Sequence, residues 1–151
     1  MNNIQEIIKE IFRLTSCEIT SMDVKDEMGM LWCAVETPDS RFLIGKEGET
    51  LRSINHIIQR ILEKDPANEN KSFILDINGY QKKKIDNLKN MAHMMSERAK
   101  YFKSNIEIDP MPAFERRIIH MFLENEKDIK TESEGEGSNR RVVVKYIGNT
   151  N

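Results

Sequence analysis

A turn with two glycines, Gly45-Lys46-Glu47-Gly48, directly precedes a segment with the periodicity of an amphipathic helix. Glycine adopts positive φ angles and lets another backbone approach closely. The free N–H groups and the positive dipole end of the following helix would lie beside the turn, where they favour an anion such as phosphate. Lys46 would add a positive charge, and Thr50 could cap the helix or donate to the phosphate. A plain glycine-rich turn has the same pattern, and this alternative stays open.

Arg116 and His120 are four residues apart in a second helical segment. At about 100° per residue they lie about 40° apart, with Arg117 on their flank. Between about 140° and 240° from Arg116 lie four apolar residues, Phe114, Ile118, Met121 and Phe122. We therefore expect Arg116 and His120 on the face opposite the core, where a guanidinium and an imidazole could bind a phosphate or a stacked base. An ordinary solvated helix face is the alternative.

The periodicity of the apolar residues predicts the elements that would position these side chains. Helices are predicted over residues 1–12, 41–44, 49–64, 81–103 and 113–124. Strands are predicted over residues 17–24, 30–37, 73–77, 105–108, 129–131 and 141–147. A turn at 25–29 would join the first two strands into a hairpin, and a turn-rich acidic connection at 132–139 would join the last two. The pattern predicts an α+β protein of two modules, joined by the long helix.

Composition and charge exclude several classes of protein. The 151 residues are 38% hydrophobic and 32% charged, unlike a disordered chain, and no apolar run reaches the roughly 18 to 20 residues of a membrane span. Two cysteines and three scattered histidines predict neither a disulfide scaffold nor a metal site, and they favour the cytoplasm. Residues 1–80 carry 9 Lys/Arg and 14 Asp/Glu, a net charge of −5, whereas residues 81–151 carry 14 and 11, a net charge of +3. This asymmetry hints at an anionic partner for the second half, although ordinary surface variation would also explain it.

The glycine turn and its surroundings resemble a type II KH domain, with the element order α-β-β-α-α-β over residues 1–80. In KH domains this loop clamps the backbone of about four single-stranded nucleotides. The resemblance implies a groove for bases lined by Ile44, Leu51 and Ile54, and it also makes Arg52 a candidate for nucleic-acid binding. Glu47 departs from this pattern, because an acidic residue weakens the attraction for phosphate.

The helix with Arg116 and His120, followed by Glu-Gly-Glu-Gly-Ser-Asn-Arg-Arg-Val-Val-Val, resembles the R-3-H (RxxxH) domain, a single-stranded nucleic-acid-binding domain of order β-α-β-β. It would occupy residues 105–151, after a connecting helix at 81–104. Arg140 and Arg141 are expected to join Arg116 and His120 in one patch.

A KH domain followed by an R-3-H domain resembles the bacterial Jag family (also called KhpB), which comprises cytoplasmic RNA-binding proteins. The resemblance implies a protein that binds single-stranded RNA, or single-stranded DNA, without a cofactor or membrane insertion. Since the first KH helix begins almost at Met1, we expect the N-terminal Jag domain of the family to be missing.

Two other functions are alternatives to RNA binding. A protein–protein adaptor would pair its KH module with a second small KH protein, and the −5 charge of the first half favours this function for that module. A nuclease would use His120 as its general base, but the sequence offers no positioned partner for it. Because no enzyme motif is present, the sequence predicts a binding protein without catalytic residues.

Overall fold

The computed structural model describes residues 2–27 and 30–148 of the chain. The described residues up to Lys82 form one compact unit, and those from Lys83 onward form a second. Each unit has its own three-stranded sheet and its own hydrophobic core. The α+β fold class is therefore confirmed. Within the described residues, no helix combines the length and apolar character that crossing a membrane requires.

The N-terminal unit follows the predicted order of helix, two strands, two helices and strand. Its elements are α1 (Asn2–Leu14), β1 (Ser21–Glu27), β2 (Met30–Glu36), α2 (Ser40–Ile44), α3 (Glu49–Leu62) and β3 (Ser72–Ile77). The central strand β2 is antiparallel to β1 and parallel to β3. Residues 25–27 of the predicted turn continue β1, and the other two residues of that turn lie outside the described residues.

The core of the N-terminal unit lies between the sheet and its helices. Alternate residues of β2, Leu31, Cys33 and Val35, are buried on the face that carries this core. Burial raises the pKa of the Cys33 thiol to about 12, so this cysteine is a neutral packing residue. Leu43 of α2 and Leu51 of α3 are fully buried on either side of the glycine turn. The core therefore anchors both ends of that turn.

The backbone of the glycine turn explains why its two glycines are needed. Gly45 and Gly48 have φ angles of +73° and +75°, and Glu47 between them is also left-handed at +52°. A Cβ at position 45 would lie 2.2 Å from Oγ1 of Thr50, and one at position 48 would lie 2.8 Å from the hydroxyl oxygen of Tyr80. Since Gly48 is also buried, the fold itself requires it, whatever binds at the turn.

The connection from β3 to α4 (Tyr80–Phe102) holds Tyr80 beside the turn. Oδ1 of the buried Asp76 accepts the backbone N–H of Gln81 at 2.8 Å, while burial raises the pKa of the Asp76 carboxyl. The amide of Asn78 accepts the backbone N–H of Thr37 and donates to its carbonyl oxygen, both at 2.9 Å. These bonds fix the first residues of α4 on the N-terminal unit.

The C-terminal unit packs helices on one face of an antiparallel sheet. Besides α4 it contains β4 (Ile106–Glu107), α5 (Ala113–Leu123), β5 (Ile129–Glu134) and β6 (Arg141–Tyr146), with β6 between the other two strands. Its core comprises Ala92, Ala99, Ile108, Ile119, Leu123, Ile129, Val142 and Val144. The observed strand, helix, strand, strand order after α4 is the predicted one.

β5 is longer than the sequence predicts. Residues 132–134, predicted in the acidic connection, continue the strand and pair with β6. Lys145 on β6 binds Glu132 at 2.5 Å and Glu134 at 3.1 Å, which offsets the repulsion between the two carboxylates. The strand therefore continues to Glu134, and Gly135, whose φ angle is +88°, follows it.

The face of α5 that enters the core also differs from the prediction. Ile118 is buried as predicted, but so are Ile119 and Leu123, whereas Met121 and Phe122, expected in the apolar stripe, are 48% and 42% exposed. At about 100° per residue, Ile119 and Leu123 lie at about 300° and 340° from Arg116. The prediction that Arg116 and His120 lie opposite the core is therefore wrong. Both side chains are half-buried at the edge of the packed face.

Paired substitutions on α5 test this helix phase. Ile119→Ala should lower the free energy of unfolding of the C-terminal unit by about 2–5 kcal/mol, because it leaves a cavity in the core. Met121→Ala, two residues away, should change it by no more than about 0.5 kcal/mol. Urea unfolding followed through the amide resonances of Val142 and Val144 measures both. Equal losses from the two variants would contradict the observed phase.

A second pair tests the glycine turn. Gly48 and Gly79 share a φ angle of +75°, but only a Cβ at Gly48 would meet another side chain, that of Tyr80. Gly79→Ala should therefore lower the free energy of unfolding only by the penalty of the left-handed conformation, about 1–2 kcal/mol. Gly48→Ala should lower it by more. Urea unfolding followed by fluorescence of the single tryptophan, Trp32 in β2, compares them. Equal losses for the two variants would contradict this expectation and show that Tyr80 moves aside without cost.

Candidate nucleic-acid interface

The glycine turn presents charges of both signs to solvent. Lys46 and Glu47 are exposed, and so are Glu49 and Arg52 at the start of α3. Nη1 of Arg52 donates to the carbonyl oxygen of Glu47 at 3.0 Å, which holds this guanidinium against the turn. Gly48 gives α3 no side-chain cap. The turn therefore offers backbone N–H groups and two cations to an anion, opposed by two carboxylates.

The apolar residues expected to line a groove beside this turn have different exposures. Ile44 and Ile54 pack against the core and keep part of their surface exposed. Leu51 is fully buried, so it supports the turn from within the core and cannot line an open groove. Its predicted place in the groove is therefore wrong. Thr50 is half-buried against Gly45.

Arg116 is held at the start of α5 by one backbone contact. Its Nη1 donates to the carbonyl oxygen of Met111 at 2.7 Å. Its Nε is buried and has no hydrogen-bond partner among the described residues. A buried N–H without an acceptor is costly, since it has lost its bond to water. The guanidinium is thus fixed in place with donor capacity left over.

A shallow groove of about 570 Å³ brings Arg116 and Arg140 together. Its lining comprises Pro110, Met111, Pro112, Ala113, Arg116, Gly137, Ser138 and Arg140. Nη1 of Arg140 donates to the carbonyl oxygen of Gly135 at 2.9 Å, and its side chain is exposed. The groove thus combines two guanidinium groups with an apolar wall of prolines and methionine, a surface suited to a phosphate and an adjoining sugar or base.

Arg141 does not belong to this groove. Its guanidinium makes two bonds to the Glu107 carboxylate, Nε at 3.0 Å and Nη2 at 3.1 Å, and the bonded guanidinium lowers the pKa of that carboxyl. The charge of Arg141 is therefore largely neutralised on another part of the sheet, and the single patch expected from the sequence does not include it. Arg117 is exposed and does not line the groove either.

His120 packs between α5 and β5. Its Nδ1 lies 2.7 Å from the hydroxyl oxygen of Thr131, and its Nε2 lies 2.8 Å from that of Ser133. Burial, together with the charge of Arg116, holds the pKa of His120 below its ordinary value. Neither hydroxyl contact is predicted from the sequence, because the predicted strand ends at Thr131 and leaves Ser133 in a turn. The i, i+2 spacing of two hydroxyl residues in an extended strand was the available signal.

The described residues contain no group of three or more His, Cys, Asp or Glu side chains that could hold a metal ion. Among the residues that the structure describes, the hydrogen-bond partners of His120 are two hydroxyl groups, and no carboxylate orients the ring as a general base. The geometry at His120 therefore provides packing and hydrogen bonds but lacks the arrangement that a nuclease of that kind would need.

Comparison with known proteins agrees with the motifs. Residues 86–146 match the model of the R-3-H domain, a span that includes most of α4. "RNA-binding protein KhpB" of Bacillus subtilis is 35% identical over 106 residues, covering 69% of this chain and 50% of the relative. The protein of that name from Clostridium symbiosum is 32% identical over 106 residues, covering 70% and 47%. That from Lactiplantibacillus plantarum is 31% identical over 109 residues, covering 72% and 34%.

The chain thus spans about half the length, or less, of the curated relatives it matches. The resemblance predicted from the Arg-x-x-x-His helix and the segment after it is confirmed for that part of the chain. Residues 86–146 are therefore an R-3-H domain, in a chain that is a relative of the KhpB (Jag) proteins.

Proposed function

We propose that this protein binds single-stranded RNA through the groove that contains Arg116 and Arg140. The observation that carries the proposal is the groove itself, in which the guanidinium of Arg116, held by its bond to Met111, lines the same surface as a second arginine, Arg140. A phosphate in the groove would accept hydrogen bonds from these two guanidinium groups. The R-3-H match and the name of the relatives, RNA-binding protein KhpB, support the same function.

Binding in this groove would follow from ordinary interactions of single-stranded nucleic acid. The two guanidinium groups would contact phosphate oxygens and release counterions. The wall of Pro110, Met111 and Pro112 would pack against a sugar or an unpaired base. These interactions would provide affinity for RNA without any chemical reaction. The protein would therefore be a binding protein rather than an enzyme, and it would act in the cytoplasm, where the cell's RNA is found. Single-stranded DNA offers the same phosphates and would bind in the same groove.

We extend the proposal to the N-terminal unit, as a type II KH domain over residues 1–80. The order of its elements and the left-handed backbone of the Gly45–Gly48 turn support this assignment. Lys46 and the uncapped start of α3 would contact the backbone of the same RNA. Glu47 and Glu49 oppose this contact, so the groove of the R-3-H domain would provide most of the affinity.

A second function for the N-terminal unit is the adaptor role. On α3, Ile57 is 54% exposed and Ile61 is 39% exposed, and these residues lie one turn apart on the helix surface. Such an apolar strip favours a protein partner, such as a second small KH protein. In that case RNA would bind only to the R-3-H domain.

The groove is tested by salt-dependent binding of a single-stranded oligoribonucleotide. Arg140→Ala should weaken binding about tenfold or more, since hydrogen bonds to charged groups contribute about 1.5–3 kcal/mol. The log–log salt slope should fall in magnitude by about 0.7 for each phosphate that the variant no longer binds. Arg116→Ala should do the same and should also lower the melting temperature, because the side chain is half-buried and bonded to Met111.

Arg98→Ala is the matched control for these variants. Arg98 is exposed on α4 and does not line the groove, so its removal should change affinity and slope much less. If Arg140→Ala and Arg98→Ala gave the same slope, general charge rather than the groove would bind the RNA.

The KH turn is tested at Lys46, because substitution of Gly48 would disturb the fold. Lys46→Glu should weaken RNA binding with little change in stability, as an exposed side chain is replaced by another. Lys64→Glu, an equally large charge change at an exposed position after α3, is the control. Fluorescence anisotropy with labelled RNA compares them. Equal affinities for the two variants would remove the turn from the RNA site and favour the adaptor role.

A further inference from the structure

We propose that His120 is a positioning residue, clamped between Thr131 and Ser133 of β5, which fixes α5 so that Arg116 faces the groove. The imidazole itself would make no contact with the nucleic acid. This inference rests on the proposed function, because it divides the Arg-x-x-x-His motif into one residue that binds and one that positions.

The hydrogen bonds of His120 leave no ring nitrogen for a ligand. Nδ1 and Nε2 lie 2.7 and 2.8 Å from the hydroxyl oxygens of Thr131 and Ser133. A neutral imidazole donates one N–H and accepts at the other nitrogen. One hydroxyl therefore accepts from the ring and the other donates to it. A phosphate could reach either nitrogen only by displacing a bond that joins α5 to β5.

The two motif residues also line different depressions. Arg116 lines the groove with Arg140. His120 lines a separate hollow of about 350 Å³, between the second half of α5 and the start of β5. The charged groups at that hollow are Glu124 and Lys130, one of each sign. The hollow therefore has no excess of positive charge to attract a phosphate.

The ionisation of the imidazole agrees with a positioning role. Burial and the charge of Arg116, one turn earlier on α5, keep the pKa of His120 below its ordinary value. At neutral pH the ring is therefore uncharged and would release no counterion when RNA binds. Glu124 and Lys130, which line the same hollow, oppose each other in sign.

The clamp acts on Arg116 because the two residues are neighbours on one helix face. Ile119 and Leu123 hold α5 against the sheet through apolar contacts, which tolerate small shifts along the strand. The two hydrogen bonds to β5 add a directional restraint. Arg116 then reaches the carbonyl oxygen of Met111 and lines the groove beside Arg140. Loss of the clamp would let Arg116 leave this position.

A double-mutant cycle with a single-stranded oligoribonucleotide tests the proposal. The pair Thr131→Val with Ser133→Ala should weaken RNA binding in the otherwise unchanged protein. In an Arg116→Ala background the same pair should cause no further loss, because the clamp acts through Arg116. The pair Thr131→Ser with Ser133→Thr keeps both hydroxyl groups and should restore binding. Equal losses in the two backgrounds would overturn the positioning role.

NMR titration of the His120 ring provides a second readout, because the pKa of the ring changes only if the ring contacts the RNA directly. Added RNA should leave the pKa of His120 nearly unchanged, whereas a phosphate contact would raise it by about 1 unit or more. Such a rise would show that His120 binds RNA directly and would overturn the proposal. Failure of the unchanged protein to bind any RNA would instead overturn the proposed function, so the two failures are distinguishable.

Discussion

The packing of Ile119 and Leu123 into the sheet of the C-terminal unit determines what the Arg-x-x-x-His motif can do. Once these two residues are buried, the residues three before and one after Ile119 must lie at the edge of the core. Arg116 and His120 occupy those positions and are half-buried. A guanidinium at such an edge is fixed by its surroundings, which lowers the entropy lost when it binds an anion. The motif is therefore part of the packing as well as a charged surface.

A comparable restraint operates in the N-terminal unit. Gly48 is buried against Tyr80, and Tyr80 begins the helix whose start is held by Asp76. The conformation of the exposed Lys46 and Glu47 thus depends on a junction that lies beyond α3 and β3 in the chain. In both units, a long-range contact inside the fold sets the conformation of the residues that would meet the ligand.

The sequence predicted the order of elements well, because that order depends on local periodicity and on glycine and proline positions. It could not predict features set by distant partners. Arg141 was expected in the basic patch, but Glu107, 34 residues away, neutralises it. Ser133 lies in a strand because this segment pairs with β6. Lys145 of β6 offsets the repulsion between the acidic side chains of the segment. The phase of α5 was wrong for a different reason. The predicted apolar stripe omitted Ile119 and Leu123, although both were visible in the sequence.

The distribution of charge gives the two units unequal attraction for an anion. In the N-terminal half, which carries a net charge of −5, the cations Lys46 and Arg52 stand beside Glu47 and Glu49. In the C-terminal unit, Arg116 and Arg140 share a groove whose other lining residues carry no charge. Attraction between charges falls when opposite charges lie nearby, so the same number of cations attracts phosphate more strongly in the groove than at the glycine turn. Under the proposed function, the groove would therefore provide most of the attraction for a nucleic-acid backbone, and the turn would provide the smaller part.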